Sequence, residues 1–264
     1  MPYSVNNGLR IYYETYGDGS PLVMVHANPF DHRLWMHQIA RYSAFHRVIA
    51  IDLRGYGRSD KPNSPFALAD MARDVIGVCI DEGVTRAPFF GVSVGSGISM
   101  LIALEEPELV EALVLVGGSS AGSPNMTRRI EGFLSQDLPG YQLQHLRDCV
   151  SPAFADSARG QWLLSLFNAR ADQLSGPCIA NIFRARLGCD MRELLPNIKA
   201  PTLVVNGEHD ISMAAGLLTA SLIPDARHVT IVGGGHACNI EKPEDFDAKV
   251  AAFFRDKGLR LCAA

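Results

Sequence analysis

The string Gly91-Val92-Ser93-Val94-Gly95 sets a serine between two glycines, each two residues away. The apolar run Ala87-Pro88-Phe89-Phe90 precedes it and Ile98-Ser99-Met100-Leu101-Ile102-Ala103-Leu104 follows, so the segment reads as strand, sharp turn and helix. A residue at such a turn sits in a strained backbone conformation, and glycine neighbours let the main chain come close. A serine hydroxyl is a poor nucleophile until a histidine takes its proton and an acid fixes that histidine. Both types follow at strand ends. Pro201-Thr202-Leu203-Val204-Val205-Asn206 is a buried-strand pattern ending in Gly207-Glu208-His209-Asp210, and Ala226-Arg227-His228-Val229-Thr230-Ile231-Val232 ends in Gly233-Gly234-Gly235-His236. Ser93, Asp210 and His236 are therefore the candidate nucleophile, acid and base, with Glu208 as second choice for the acid.

Upstream, Leu9–Tyr16 alternates like an edge strand, while Pro21–His26 and Arg47–Ile51 are short continuous apolar runs typical of strands buried on both faces. Between them Arg33–Ser43 has helical spacing. Ala67–Gly83 is an amphipathic helix with Leu68, Met71, Val75, Val78 and Cys79 on one face, and Leu109–Val116 is a further strand. This alternation predicts an α/β fold, a mostly parallel, doubly wound sheet with ligands at the carboxyl ends of its strands. From 120 to 196 the rhythm breaks into short helices near 126–137, 141–150, 157–170 and 172–187. The expected organisation is a core of residues 1–119 and 197–264 with a helical cap, 120–196, inserted between two strands. Seven arginines and no lysine lie between 128 and 186; they read either as a lid tuned to anionic substrates or as solvated helix faces. Among the insert's aromatic residues Phe133, Trp162, Phe167 and Phe183, Trp162 is the expected pocket wall.

The 264 residues, 47% hydrophobic and 20% charged, suit a globular, enzyme-sized chain. A net charge of −4 without any basic run argues against nucleic acid or an anionic membrane as partner. No window has the roughly 18 apolar residues of a spanning helix, and no secretory pattern opens the chain, which predicts a cytoplasmic protein. The six cysteines (Cys79, Cys149, Cys178, Cys189, Cys238, Cys262) lack C-x-x-C spacing and are expected as free thiols. No two of the eight histidines have metal-ligand spacing with a third ligand nearby, so neither metal nor cofactor is expected. Gly233-Gly234-Gly235 lacks the Lys-Ser/Thr of a phosphate loop. His32, His37, His46, His145 and His228 read as surface or packing residues.

Five motifs, His26-Ala27-Asn28-Pro29, Asp52-Leu53-Arg54-Gly55-Tyr56-Gly57-Arg58-Ser59, Gly91–Gly97, Gly207–Asp210 and Gly235-His236 with Asn239–Glu244, occur in the order of the α/β-hydrolase superfamily, which the chain resembles over its whole length. The tail from Ala226 to Phe246 and the short first strand are similar to the branch of 3-oxoadipate enol-lactonases and small esterases. The resemblance implies a cofactor-independent serine hydrolase acting on a small-molecule carboxylic ester or lactone through an acyl-enzyme. Carbon–carbon bond hydrolysis of ring-cleavage products, and a slow-turnover ligand receptor on the same fold, are the alternatives. It also implies that Ser93 attacks, His236 is the general base, Asp210 orients it, and the backbone N–H groups of Val94 and Asn28 form the oxyanion hole. Ala27 stands where the family usually has glycine. His26 and Asp52 are expected to fix loop geometry, and a homodimer is left open.

Overall fold

The computed structural model describes residues 2–135 and 137–261. Its strands are β1 (Tyr3–Asn6), β2 (Leu9–Tyr16), β3 (Ser20–Val25), β4 (His46–Ile51), β5 (Ala87–Val92), β6 (Val110–Val116), β7 (Thr202–Gly207) and β8 (Ala226–Ile231). They form one sheet in the order β1-β2-β4-β3-β5-β6-β7-β8, parallel from β4 to β8 and antiparallel at β1 and β2. Tyr3–Asn6 pairs outside Leu9–Tyr16, so the latter is the second strand rather than the edge. The expected doubly wound, mostly parallel sheet is otherwise what forms.

The helices are α1 (Met36–Tyr42), α2 (Leu68–Asp81), α3 (Val94–Glu105), α4 (Asn125–Phe133), α5 (Leu138–Asp148), α6 (Pro152–Asp156), α7 (Ala158–Asn168), α8 (Gly176–Leu187), α9 (Met213–Leu222), α10 (Cys238–Glu241) and α11 (Pro243–Asp256). Alternate residues of each inner strand enter opposite layers of core, as the two-residue period requires. Val23, Phe89, Leu113 and Leu115 pack with α2 and α3. Met24, Phe90, Val114 and Val116 pack on the other face with Trp35, Phe246 and Phe254. The continuous apolar runs seen in the sequence are thus strands covered on both sides. Helix α9 has no apolar stripe: Gly216 and Thr219 are buried while Leu217 and Leu218 are exposed.

The chain crosses from β4 back to β5, on the far side of β3, so the strand order reverses between β3 and β5. A crevice opens at the carboxyl ends of strands flanking such a reversal. Ser93 directly follows β5 there. Helices α4 to α8 all lie between β6 and β7 in the chain, and the base of this insert is tied: Ala121 bridges Asp190, and Met191 N donates to Ser120 O at 2.8 Å. Arg186, nearly buried, donates to Ser119 Oγ (2.8 Å), Ala121 O (3.0 Å) and Cys189 O (3.1 Å) at the same place. Cys79, Cys149, Cys178, Cys189 and Cys238 are free thiols; Cys262 lies outside the described residues. Among the described residues no helix is long and apolar enough to cross a membrane.

Candidate active site

Ser93 has φ 56° and ψ −111°, a left-handed conformation that a non-glycine residue holds only when its surroundings enforce it. They do so from both sides. Ser93 N donates to Val116 O at 2.8 Å, and Gly97 N donates to Ser93 O at 3.2 Å as α3 begins. A Cβ on Gly91 would lie 2.5 Å from Gly95 C, and one on Gly95 would lie 2.2 Å from Val25 O, so both glycines are required by close backbone approach. The N–H of Val94 falls in the first turn of α3, where a helix offers no internal acceptor.

Asp210 and His236 meet at the ends of β7 and β8, with Nδ1 of His236 2.8 Å from Asp210 Oδ1. Three further groups that sequence patterns did not single out complete this seat. Asn206 Nδ2 donates to Asp210 Oδ2 (2.7 Å), while the N–H and the hydroxyl of Ser212 both donate to Oδ1 (2.8 Å each). Burial pushes the Asp210 carboxyl up, but the charge and hydrogen bond of His236, with Ser212 and Asn206, outweigh it and hold the group below the ordinary carboxylate range. For His236, burial acts downward and Asp210 more strongly upward, leaving the imidazole above its usual value. The third group is Gly117, at φ +56°, where a Cβ would come within 2.6 Å of the His236 ring. Behind the histidine loop, the buried Glu241 accepts from Gly235 N (2.8 Å) and Ser151 N (3.0 Å), joining the loop to the start of α6.

Ser93 and His236 line one cavity of about 380 Å³. Its floor includes Gly117 and Ser212, and its other wall comes from the insert, through Met126, Arg129, His145, Cys149 and Phe183. Asn28 and Val94 are not among the lining residues. Asn28 follows the end of β3, is almost fully buried, and approaches the wall through its carbonyl, 3.9 Å from Cys149 Sγ. Ala27 is accommodated there, fully buried, in a turn closed by Phe30 N donating to Ala27 O at 2.9 Å.

Several expectations are corrected. Trp162 is 61% exposed on α7 and does not line this cavity; Phe183 does, stacked on Phe133. His145, expected as a surface or packing residue, packs on Phe133 and Phe183 and also lines the cavity. Glu208 accepts from Gly233 N at 2.8 Å and braces the turn before His236 instead of touching its ring. Of the seven arginines between 128 and 186, three pair with acids: Arg129 with Asp148 (2.9 Å), Arg147 with Asp156 (2.5 Å) and Arg170 with Asp31 (3.7 Å). These arrangements were hidden in the sequence because helical spacing shows that a face is apolar, not which neighbour it meets.

His26 and Asp52 clamp loops, as expected. Leu53 N donates to His26 Nε2 (2.9 Å), so Nδ1 carries the proton and donates to Ala27 O (2.9 Å). Asp52 accepts from His32 N (2.9 Å), His32 Nδ1 (2.7 Å) and Arg58 N (2.9 Å). Folding also brings Asp31, His32 and Asp52 within 4.8 Å, a potential metal-ligand trio that sequence spacing did not reveal. Their atoms are already engaged, Asp31 by Arg33 at 2.6 Å and Asp52 by the donors above, so the cluster holds loops together.

Comparison with known proteins agrees with this geometry. The family described as alpha/beta hydrolase fold matches residues 20–171. A putative carbamate hydrolase, RutD, from Azorhizobium caulinodans is 29% identical over 263 residues, covering 96% of this chain and 98% of its own. The enol-lactonase from Burkholderia xenovorans LB400 superposes with a TM-score of 0.89 at 26% identity, over 96% of this chain and 100% of its own. Est816, an N-acyl homoserine lactone degrading enzyme, superposes with a TM-score of 0.83 at 29% identity, over 96% and 100% of the two chains. Sheet, serine turn and family match together make this chain a hydrolase of the α/β-hydrolase family.

Proposed function

We propose that this chain is a serine hydrolase that cleaves a carboxylic ester or lactone through an acyl-enzyme, with Ser93, His236 and Asp210 as its triad. The observation that carries the reading is the strained Ser93 sharing a cavity with His236 while Asp210 holds His236 Nδ1. With Nδ1 engaged, Nε2 is the nitrogen that takes the Ser93 proton as Oγ adds to the substrate carbonyl carbon. The N–H groups of Val94 and Asn28 stabilise the resulting oxyanion. Collapse expels the alcohol, which leaves with the proton from His236, and an acyl-Ser93 ester remains. Water then adds to that ester, giving a proton to His236, and collapse breaks the acyl–Ser93 bond, returns that proton from His236 to Ser93 Oγ and releases the acid. In a lactone, acid and alcohol leave as one molecule.

The 29% identity to a chain named as a putative carbamate hydrolase supports a second substrate class for the same steps. A carbamate places nitrogen beside the attacked carbonyl and needs no different residues. Substrate choice belongs to the insert, which supplies the wall facing Ser93. The deciding experiment joins a fluorophosphonate label, located by mass spectrometry, to rates on ester, lactone and carbamate substrates. An adduct on Ser93 and loss of at least about 10³-fold in kcat in Ser93→Ala are expected. Label on another residue, or unchanged hydrolysis by Ser93→Ala, overturns the reading.

A further inference from the structure

We propose that His145 is a substrate-binding residue of the Ser93 cavity, and that the cavity accepts an ester or lactone bearing an additional neutral hydrogen-bonding group, such as a hydroxyl or an amide. This rests on the serine-hydrolase reading and names the substrate class for that site. His145 projects from α5, is 5% exposed, and lines the cavity together with Ser93 and His236. Aromatic rings hold it: Phe133 at 5.5 Å and Phe183 at 5.8 Å between centroids. Its Nδ1 is enclosed and, among the described residues, has no hydrogen-bond partner. Because the ring lines the cavity, Nε2 is the polar atom left for a bound molecule.

An imidazole packed against the stacked pair Phe133 and Phe183 forgoes hydrogen bonds that an apolar residue would not need, a penalty on the order of 1–3 kcal/mol per unpaired group. A partner arriving with the substrate removes part of that penalty. The bond is a neutral one, since burial, reinforced by Arg129 and His236, holds His145 well below its ordinary pKa. The charged groups facing the same space are matched within the protein: Arg129 with Asp148 at 2.9 Å and Arg192 with Asp190 at 2.5 Å. An uncharged contact on the insert, rather than an anion site, is what this wall offers. A substrate lacking a polar group there leaves Nε2 unpaired in the filled cavity, whereas one that carries it supplies the bond.

The test uses the full chain and two pairs of p-nitrophenyl or alkyl esters, each pair differing by one hydroxyl, on the acyl part in one and the alcohol part in the other. The reading is the ratio of kcat/KM, hydroxylated to plain. His145→Phe is expected to lower that ratio about 3- to 10-fold in one pair, mainly through KM, and His145→Gln to retain more of it. A second measurement needs no variant. The His145 ring ¹⁵N signals of the wild-type protein are expected to shift more with a hydroxyalkyl boronic acid than with the plain alkyl one. Ratios unchanged in both pairs, or equal ¹⁵N shifts, overturn the proposal while fluorophosphonate labelling of Ser93 leaves the serine-hydrolase reading standing. Absence of that label overturns both.

Discussion

Replacing Gly117 by alanine adds one methyl group beside His236, the proposed general base. The new Cβ would stand 2.6 Å from Cε1 and Nδ1 of His236 and 3.2 Å from Asp210 Oδ2. To regain ordinary contact at 3.4 Å the ring must retreat by about 0.8 Å, and the Asp210 hydrogen bond of 2.8 Å opposes that retreat. A misplacement on the order of 1 Å in a catalytic group costs roughly 10²-fold in rate. The backbone adds its own penalty, because φ at Gly117 is +56° and an L-residue there costs about 1–2 kcal/mol. For a chain of this size each kcal/mol lowers Tm by roughly 2–4 °C. Gly83 provides the control: its φ is +63°, with nothing within 4 Å of an added Cβ. Gly83→Ala therefore carries the backbone strain without the clash. The expected pattern is a loss of Tm in both variants, larger in Gly117→Ala because the clash adds to the strain, with a fall of about 10²-fold in kcat on an activated ester in Gly117→Ala alone. A Gly117→Ala enzyme within threefold of wild type, or an equal loss in Gly83→Ala, refutes the claim that this glycine exists to seat His236.

Other expectations follow from the same geometry. The His236 imidazole titrates above its usual value because of Asp210, so wild-type kcat/KM should fall on the acid side as the base becomes protonated, with a midpoint above the ordinary histidine range. In Asp210→Asn burial is left to act alone, so the midpoint should move to lower pH while the plateau drops by about 10⁴-fold; an unmoved or higher midpoint contradicts the assignment. Glu241→Ala removes the oxygen that accepts from both Gly235 N and Ser151 N, and chemical denaturation should show a loss of about 1–3 kcal/mol. A change under about 0.5 kcal/mol would place the tie between histidine loop and insert elsewhere. Trp162→Ala should leave the ranking of ester substrates unchanged, since the side chain faces solvent outside the Ser93 cavity; a reordered ranking in a substrate-panel assay counts against that placement.

The parts of this protein that depend on a few neighbouring residues could be read from the chain. Apolar runs such as Leu203–Val205 announce strands because burial on both faces removes any polar alternation. The glycines around Ser93 announce the turn because only they permit the backbone approach it needs. Asp210 and His236 were legible for the same reason, each standing at the end of such a run, and the broken rhythm after Gly118 marked the insert. What the tertiary structure decided is which distant groups meet. Asn206 is a polar residue inside an apolar strand until Asp210 turns back onto it, and Glu241 is one acid among many until Gly235 and Ser151 converge on it. Trp162, the expected pocket wall, lies outside the cavity, while His145, expected only as a surface or packing residue, also lines it. Helical periodicity gives a side chain its direction about its own axis, whereas the neighbour it meets depends on how that axis packs across tens of residues of intervening chain.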